Sequence, residues 1–434
     1  MDVFQTQRPI GFSSVEISQQ VNEEVVAQHV EDTAFLWLLR DAAVKAPHYK
    51  LQDLADLDER LDANIEGLRV ASEFGWQLCL EALEYDEPGE VFAASVLAFE
   101  SEHGGRVERV VTSGFESYEN FRALVSALGW IDKRQLKRWL PGLLSARSIH
   151  YRQLGLAACS INRIDPGEAL NLALKDNEPT LQRHALRAIG RLKRADLRHE
   201  LSRHFQNEDP SCRFWAAWSA ALMGSNQAVE ILKTFVVLDK SYRRQAMNVM
   251  FRVMQPEDIN EWLSGLGAYP DAARDVVEGA AIAGDPVVIP WLIQRMQYPE
   301  LARAAGEAVS LITGVDIAYE DLDAEQPEGF EVGPFEDEED ERVEMDEDED
   351  LPWPDPELMD VWWNKHKKQF HSGIRYLAGQ PISLKHCRYV LANGFQRQRI
   401  AASMELAFLE SDKVLFETRA PGKQQQKVIS TWTS

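Results

Sequence analysis

The chain has 434 residues, too many for one compact core and suited to two or three domains or one elongated array. Hydrophobic residues make up 45% and charged residues 27%, which excludes a chain disordered throughout and leaves ample apolar material to bury. The net charge of -24 is concentrated: residues 316 to 360 hold 22 acids against Arg342 alone, a balance of -21, so the remainder is near neutral and can carry basic surfaces.

Met1 to Gly11 lacks a basic stretch followed by an apolar run, and no run of about eighteen apolar residues occurs, so the expectation is a cytoplasmic protein without membrane insertion. Cys79, Cys159, Cys212 and Cys387 lie far apart with no CxxC pair and read as reduced and buried. Over residues 20 to 84, Val25, Val26, His29, Phe35, Leu36 and Leu39, then Leu54, Leu61, Ile65 and Leu68, recur at helical spacing. Residues 1–87 are expected to form a helical cap, with the acids between Leu51 and Leu68 on a solvated face rather than in a calcium loop.

A period of about thirty residues follows. Arg152-Gln-Leu-Gly-Leu-Ala-Ala aligns with Arg183-His-Ala-Leu-Arg-Ala-Ile-Gly and with Arg213-Phe-Trp-Ala-Ala-Trp-Ser-Ala-Ala-Leu-Met-Gly224. Arg244, Arg274 and Arg303 open further copies, Arg122 opens an earlier one, and a weaker copy begins near Phe92. Turn signals such as Asp209-Pro210, Tyr269-Pro270 and Tyr298-Pro299 start the copies, because proline loses nothing in a first helical turn. Alanines and glycines let helices approach closely, and Gly224, Gly284 and Gly314 suit left-handed caps. A helix pair of this kind cannot bury its apolar stripe alone and must stack on its neighbours. Over residues 88–315 the pattern resembles short HEAT-like repeats of the kind in bilin-lyase-related proteins. The expected fold is an all-α HEAT-like α-solenoid. The leading arginines, Arg122, Arg152, Arg213, Arg244, Arg274 and Arg303, read as a structural ladder to neighbouring acids or carbonyls.

After Gly314 the composition changes, and residues 316–350 read as an acidic flexible insertion kept unfolded by like-charge repulsion. Residues 351–434 read as a C-terminal helical module in which Gly394-Phe-Gln-Arg-Gln-Arg-Ile-Ala-Ala has the basic start and alanine face of a resumed repeat. His29, Phe35-Leu-Trp-Leu-Leu-Arg40, Leu61 to Leu68, Leu351-Pro-Trp-Pro, Trp362-Trp363 and Phe395-Gln-Arg-Gln-Arg399 together resemble an uncharacterised proteobacterial HEAT-repeat family, found with type VI secretion spike and toxin genes. The resemblance implies an adaptor, accessory or immunity role with another bacterial protein, a toxin or spike component, as partner; it brings no catalytic residue.

The chemistry-bearing residues favour binding over catalysis. Di-iron HEAT-like hydroxylases need several His-Glu pairs, and His199-Glu200 is the one present; the ten histidines form no HExxH, and neither a metal site nor any cofactor is expected. The series Arg183, Arg187, Arg191, Lys193, Arg194, Arg198 and Arg203 could follow a phosphate backbone, as in HEAT-like DNA glycosylases, but nucleic acid is the weaker reading beside so acidic a chain. Candidate partner contacts are Arg183, Arg187, Arg191 and Arg194, with Trp215, Trp218, Trp353, Trp362 and Trp363 as aromatic anchors. One of Trp215 and Trp218 should be core and the other groove. The acidic arm is expected to lie along the basic run of residues 183 to 203, or to cover a basic partner.

Overall fold

The computed structural model describes residues 22–101, 103–269, 271–330 and 346–432. Among these the chain forms an all-α solenoid of 21 helices with two short two-stranded ribbons. The cap is a helical hairpin, α1 (Glu23–Ala43) and α2 (Leu51–Ala82), closed over Leu54, Leu61, Ile65 and Leu68, all 0–1% exposed.

The array follows as helix pairs. Its odd members are α3 (Pro88–Glu100), α5 (Tyr118–Trp130), α7 (Ile149–Asn162), α9 (Pro179–Leu192), α11 (Pro210–Leu222), α13 (Lys240–Met250), α15 (Ala273–Ala283) and α17 (Pro299–Thr313). The even members are α4 (Gly104–Gly114), α6 (Lys133–Ser145), α8 (Glu168–Leu174), α10 (Arg198–Arg203), α12 (Asn226–Leu238), α14 (Pro256–Leu266) and α16 (Ile289–Arg295). Proline opens α9, α11 and α17, and at α11 the Asp209 side chain caps the Cys212 N–H at 2.8 Å. Pro270 lies outside the described residues. Consecutive odd helices pack side by side, whereas even helices pack on odd ones and hardly on each other, so the odd layer forms the shorter, inner arc. Gly190 shows why small residues are needed there: a Cβ at this position would stand 2.8 Å from the Ser219 Cα of the next odd helix.

The C-terminal module comprises α18 (Pro356–His366), a hairpin of Tyr376–Leu377 against Gln380–Pro381, α19 (Leu384–Asn393), α20 (Gln396–Leu409) and α21 (Gly422–Ser430). The helix pair α19–α20 was expected to resume the array, but it does not extend the arc. The module lies instead across the C-terminal ends of the inner helices, where carbonyls have no intrahelical partner. Tyr376 N–H donates to Gly284 O, Ala378 and Gly379 N–H to Leu311 and Ile312 O, and Leu415 N–H to Arg191 O. Gln424 reaches Gly129 O, and Lys193 Nζ joins Leu222 O (2.5 Å) to Ala407 O (2.8 Å).

One motif closes the arc into a ring. Gln396 donates to Val44 O, and its own N–H to Tyr49 O, both beside the cap. Arg397 spans from Lys45 O (3.0 Å) to Glu307 of α17 (2.7 Å). Arg399, fully buried, donates to Leu391 O at 2.8 Å and to the Gln396 and Gln425 side chains. Phe395-Gln-Arg-Gln-Arg399 is thus a clasp between the first and last units.

The acidic insertion also departs from expectation. Residues 316–330 and 346–350 are folded onto the array, with Asp323–Ala324 paired to Trp353–Pro354, and residues 331–345 lie outside the described residues. Asp348 is 4% exposed. Like-charge repulsion is overcome here because arginines of three repeats meet the acids.

Candidate binding wall inside the ring

The inner wall is built by the ladder and by the residues one turn further along each odd helix, which share its face. Arg152 pairs with Asp176 at 2.8 Å, Arg213 donates to the Asn207 and Glu208 carbonyls, and Arg122 meets Asp41 of the cap at 2.6 Å. Arg244 reaches Glu278 of the next odd helix, while its neighbour Arg243 pairs with Asp275. The contacts of Arg152, Arg243 and Arg244 join adjacent units, Arg122 ties α5 to the cap, and Arg213 braces the turn that opens its own helix. Arg274 and Arg303 do something else: Arg274 takes both oxygens of Asp348 (2.6 and 3.0 Å), and Arg303 bonds the Asp346 carboxylate and the Asp348 carbonyl (2.9 Å). Glu347 faces Arg244 and Arg274 at 3.8 and 3.6 Å. Burial pushes the Asp348 carboxyl up, but the Arg274 bonds and the charges of Arg274, Arg397 and Arg303 outweigh it and hold the group below its ordinary range. The described acids Asp346, Glu347 and Asp348 therefore lie on α13, α15 and α17 and not along residues 183 to 203, while the rest of the acidic arm, 331–345, lies outside the described residues.

The basic run is not one surface. Arg183, Arg187 and Arg191 share the inner face of α9, but Arg194 is tied to Asp165 (2.5 Å) and Asp196 (2.7 Å), and Arg203 to Glu200 on α10 of the outer layer. On the inner face, Arg163 approaches Glu417 at 3.1 Å and Arg191 at 3.9 Å. Burial raises the Glu417 carboxyl, yet Arg163, Arg191 and Arg419 together hold it down at about 2. His184 is pushed down to about 3 by burial and then by Arg183, Arg187 and Arg191, so its imidazole is neutral at physiological pH.

The tryptophans divide. Trp218 and Trp363, each 7% exposed, belong to the core, which removes them as first contacts for a partner. Trp215 is half-buried under Arg187, with 4.4 Å from guanidinium carbon to ring centre. Trp353 sits under Arg303 at 4.6 Å, beside the acidic segment, and Trp362 donates to Glu320 at 2.7 Å. Sequence reading missed Arg163, Glu417 and Arg419. Nothing local marks them, because their partners lie hundreds of residues away. His199 and Glu200 meet at 3.0 Å on an exposed face, and no group of three metal-ligating side chains occurs among the described residues. All four cysteines are buried thiols, and no helix among the described residues is long and apolar enough to cross a membrane.

Residues 167–250, from just before α8 to the end of α13, match the family model of HEAT repeats. The match supports a HEAT-like repeat chain. No curated protein matches it. Among solved structures, the crystal structure of an engineered protein is similar at 15% identity and a TM-score of 0.29, over 69% of this chain and 90% of that one.

Proposed function

We propose that this HEAT-repeat chain is a non-catalytic scaffold that holds another protein on its inner wall. The observation that carries the reading is the repeat array: helix pairs stacked along an arc present an extended inner face, which suits the surface of a partner rather than the reacting atom of a small substrate. The resemblance to a family encoded beside type VI secretion genes makes a toxin or spike component the partner and an adaptor role the first choice. The same resemblance favours an immunity role second.

The test begins with a pull-down from the native host, followed by mixing the purified partner with the purified full chain and measuring a stoichiometric complex by gel filtration. Loss of secretion on deleting the gene, without loss of protection from the toxin, selects the adaptor; loss of protection selects immunity. Failure of every recovered protein to bind in purified form ends the scaffold reading.

A further inference from the structure

The two halves of the inner wall differ in how their charge is balanced. On α13, α15 and α17, Arg244, Arg274 and Arg303, with Arg397 from the clasp, meet Asp346, Glu347 and Asp348. Cations and carboxylates nearly match there. At the end of α7 and on α9, Arg163, Arg187 and Arg191, joined by Arg419 from the segment between α20 and α21, surround Glu417 as the single carboxylate of the group among the described residues. The next acid, Asp41, is already shared by Arg122 (2.6 Å) and Arg419 (2.5 Å).

The excess is not absorbed elsewhere. The Nε atoms of Arg187 and Arg191 are buried without a hydrogen-bond partner, an arrangement that leaves a desolvated donor unused. The partial negative charge at the C-terminal ends of α7 and α9 offsets part of Arg163 and Arg191, but Arg187 stands a turn further in and gains little from it. Burial pushes Arg187 down to about 10, more than nearby Glu417 restores, and it stays charged at neutral pH. The other half of the same wall displays what satisfies such arginines: an acidic stretch of peptide, held through carboxylates and a main-chain carbonyl beside a tryptophan.

We propose that Arg183, Arg187, Arg191 and Trp215 form a second peptide site, which takes an acidic segment of the partner protein as Asp346 to Asp348 is taken on α15 and α17. The proposal rests on the scaffold reading and names the chemistry of the partner. A phosphate backbone fits less well, because Arg194 and Arg203 of the basic run are engaged with carboxylates off this face.

The experiment measures fluorescence anisotropy of a labelled decaglutamate peptide, and of an oligothymidylate of equal charge, against the full chain at ~0.05 M and ~0.15 M salt. Peptide binding should weaken about tenfold in the double variant Arg187→Gln/Arg191→Gln, for two half-buried ion pairs lost. In Glu417→Gln it should strengthen, because an internal competitor is removed; circular dichroism checks that both variants are folded. Opposite signs cannot come from misfolding, which would weaken both. Oligothymidylate binding more tightly than the peptide and lost in the double variant, peptide binding indifferent to both variants, or no binding of either probe each overturns the proposal. A purified partner that binds the double variant as well as the native chain overturns it too while leaving the scaffold reading standing.

Discussion

Glu417 has a carboxyl that burial alone would raise, yet three arginines hold it at about 2 against an ordinary 4.5. A depressed folded pKa contributes stability that is present above the unfolded value and is lost as pH falls through the folded one. The shift corresponds to at most about 3 kcal/mol. Glu417→Gln should therefore lower the melting temperature at neutral pH, with the gap to the native chain narrowing as pH drops below 4.5. A gap that stays constant down to strongly acid pH would show that the ionised carboxylate contributes nothing. No pattern in the sequence singles out Glu417, since two of its arginines stand at positions 163 and 191 and meet it only after the chain has curved back. The same holds for Trp215 and Trp218: three residues apart they share one side of α11, and packing alone decides that Trp218 is core while Trp215 stays half-buried under Arg187.

Single helices were largely legible. The alanine and glycine face of the odd helices, the proline starts and the left-handed glycines all follow from local sterics, and Gly224, Gly284 and Gly314 have φ of 82°, 72° and 75°. The structure adds a second demand at two of them, because a Cβ on Gly284 or Gly314 would meet the Tyr376 carbonyl oxygen or the Ala378 carbonyl carbon at 2.6 and 2.8 Å. Gly190 is the sharper test of close helix approach. Gly190→Ala should destabilise the chain by about 1–3 kcal/mol, seen as a lower urea midpoint, because α9 and α11 must separate around Ser219. An unchanged midpoint would mean that the inner helices slide apart freely, and the tight inner arc would need another cause.

At the scale of the whole molecule, closure hangs on few residues. Arg397 holds Lys45 O, Glu307 and Glu347 O at once, so Arg397→Ala leaves the Glu307 carboxylate half-buried and unpaired, at a cost of about 3–5 kcal/mol. Small-angle scattering should then report a larger radius of gyration as the first and last units part. An identical scattering curve would place closure in the helix-end contacts of the hairpin and of the segment between α20 and α21 alone. The sequence by itself determined the all-α class, the period and the face each repeat buries, because these depend on side chains a few residues apart on one helix. Only the tertiary structure decided that the arc closes, that its C-terminal module covers the inner helix ends, and that the described acids settle on Arg274 and Arg303 rather than on α9. Those outcomes depend on carbonyls and charges far apart in the chain, whose meeting is set by accumulated curvature and not by any local spacing.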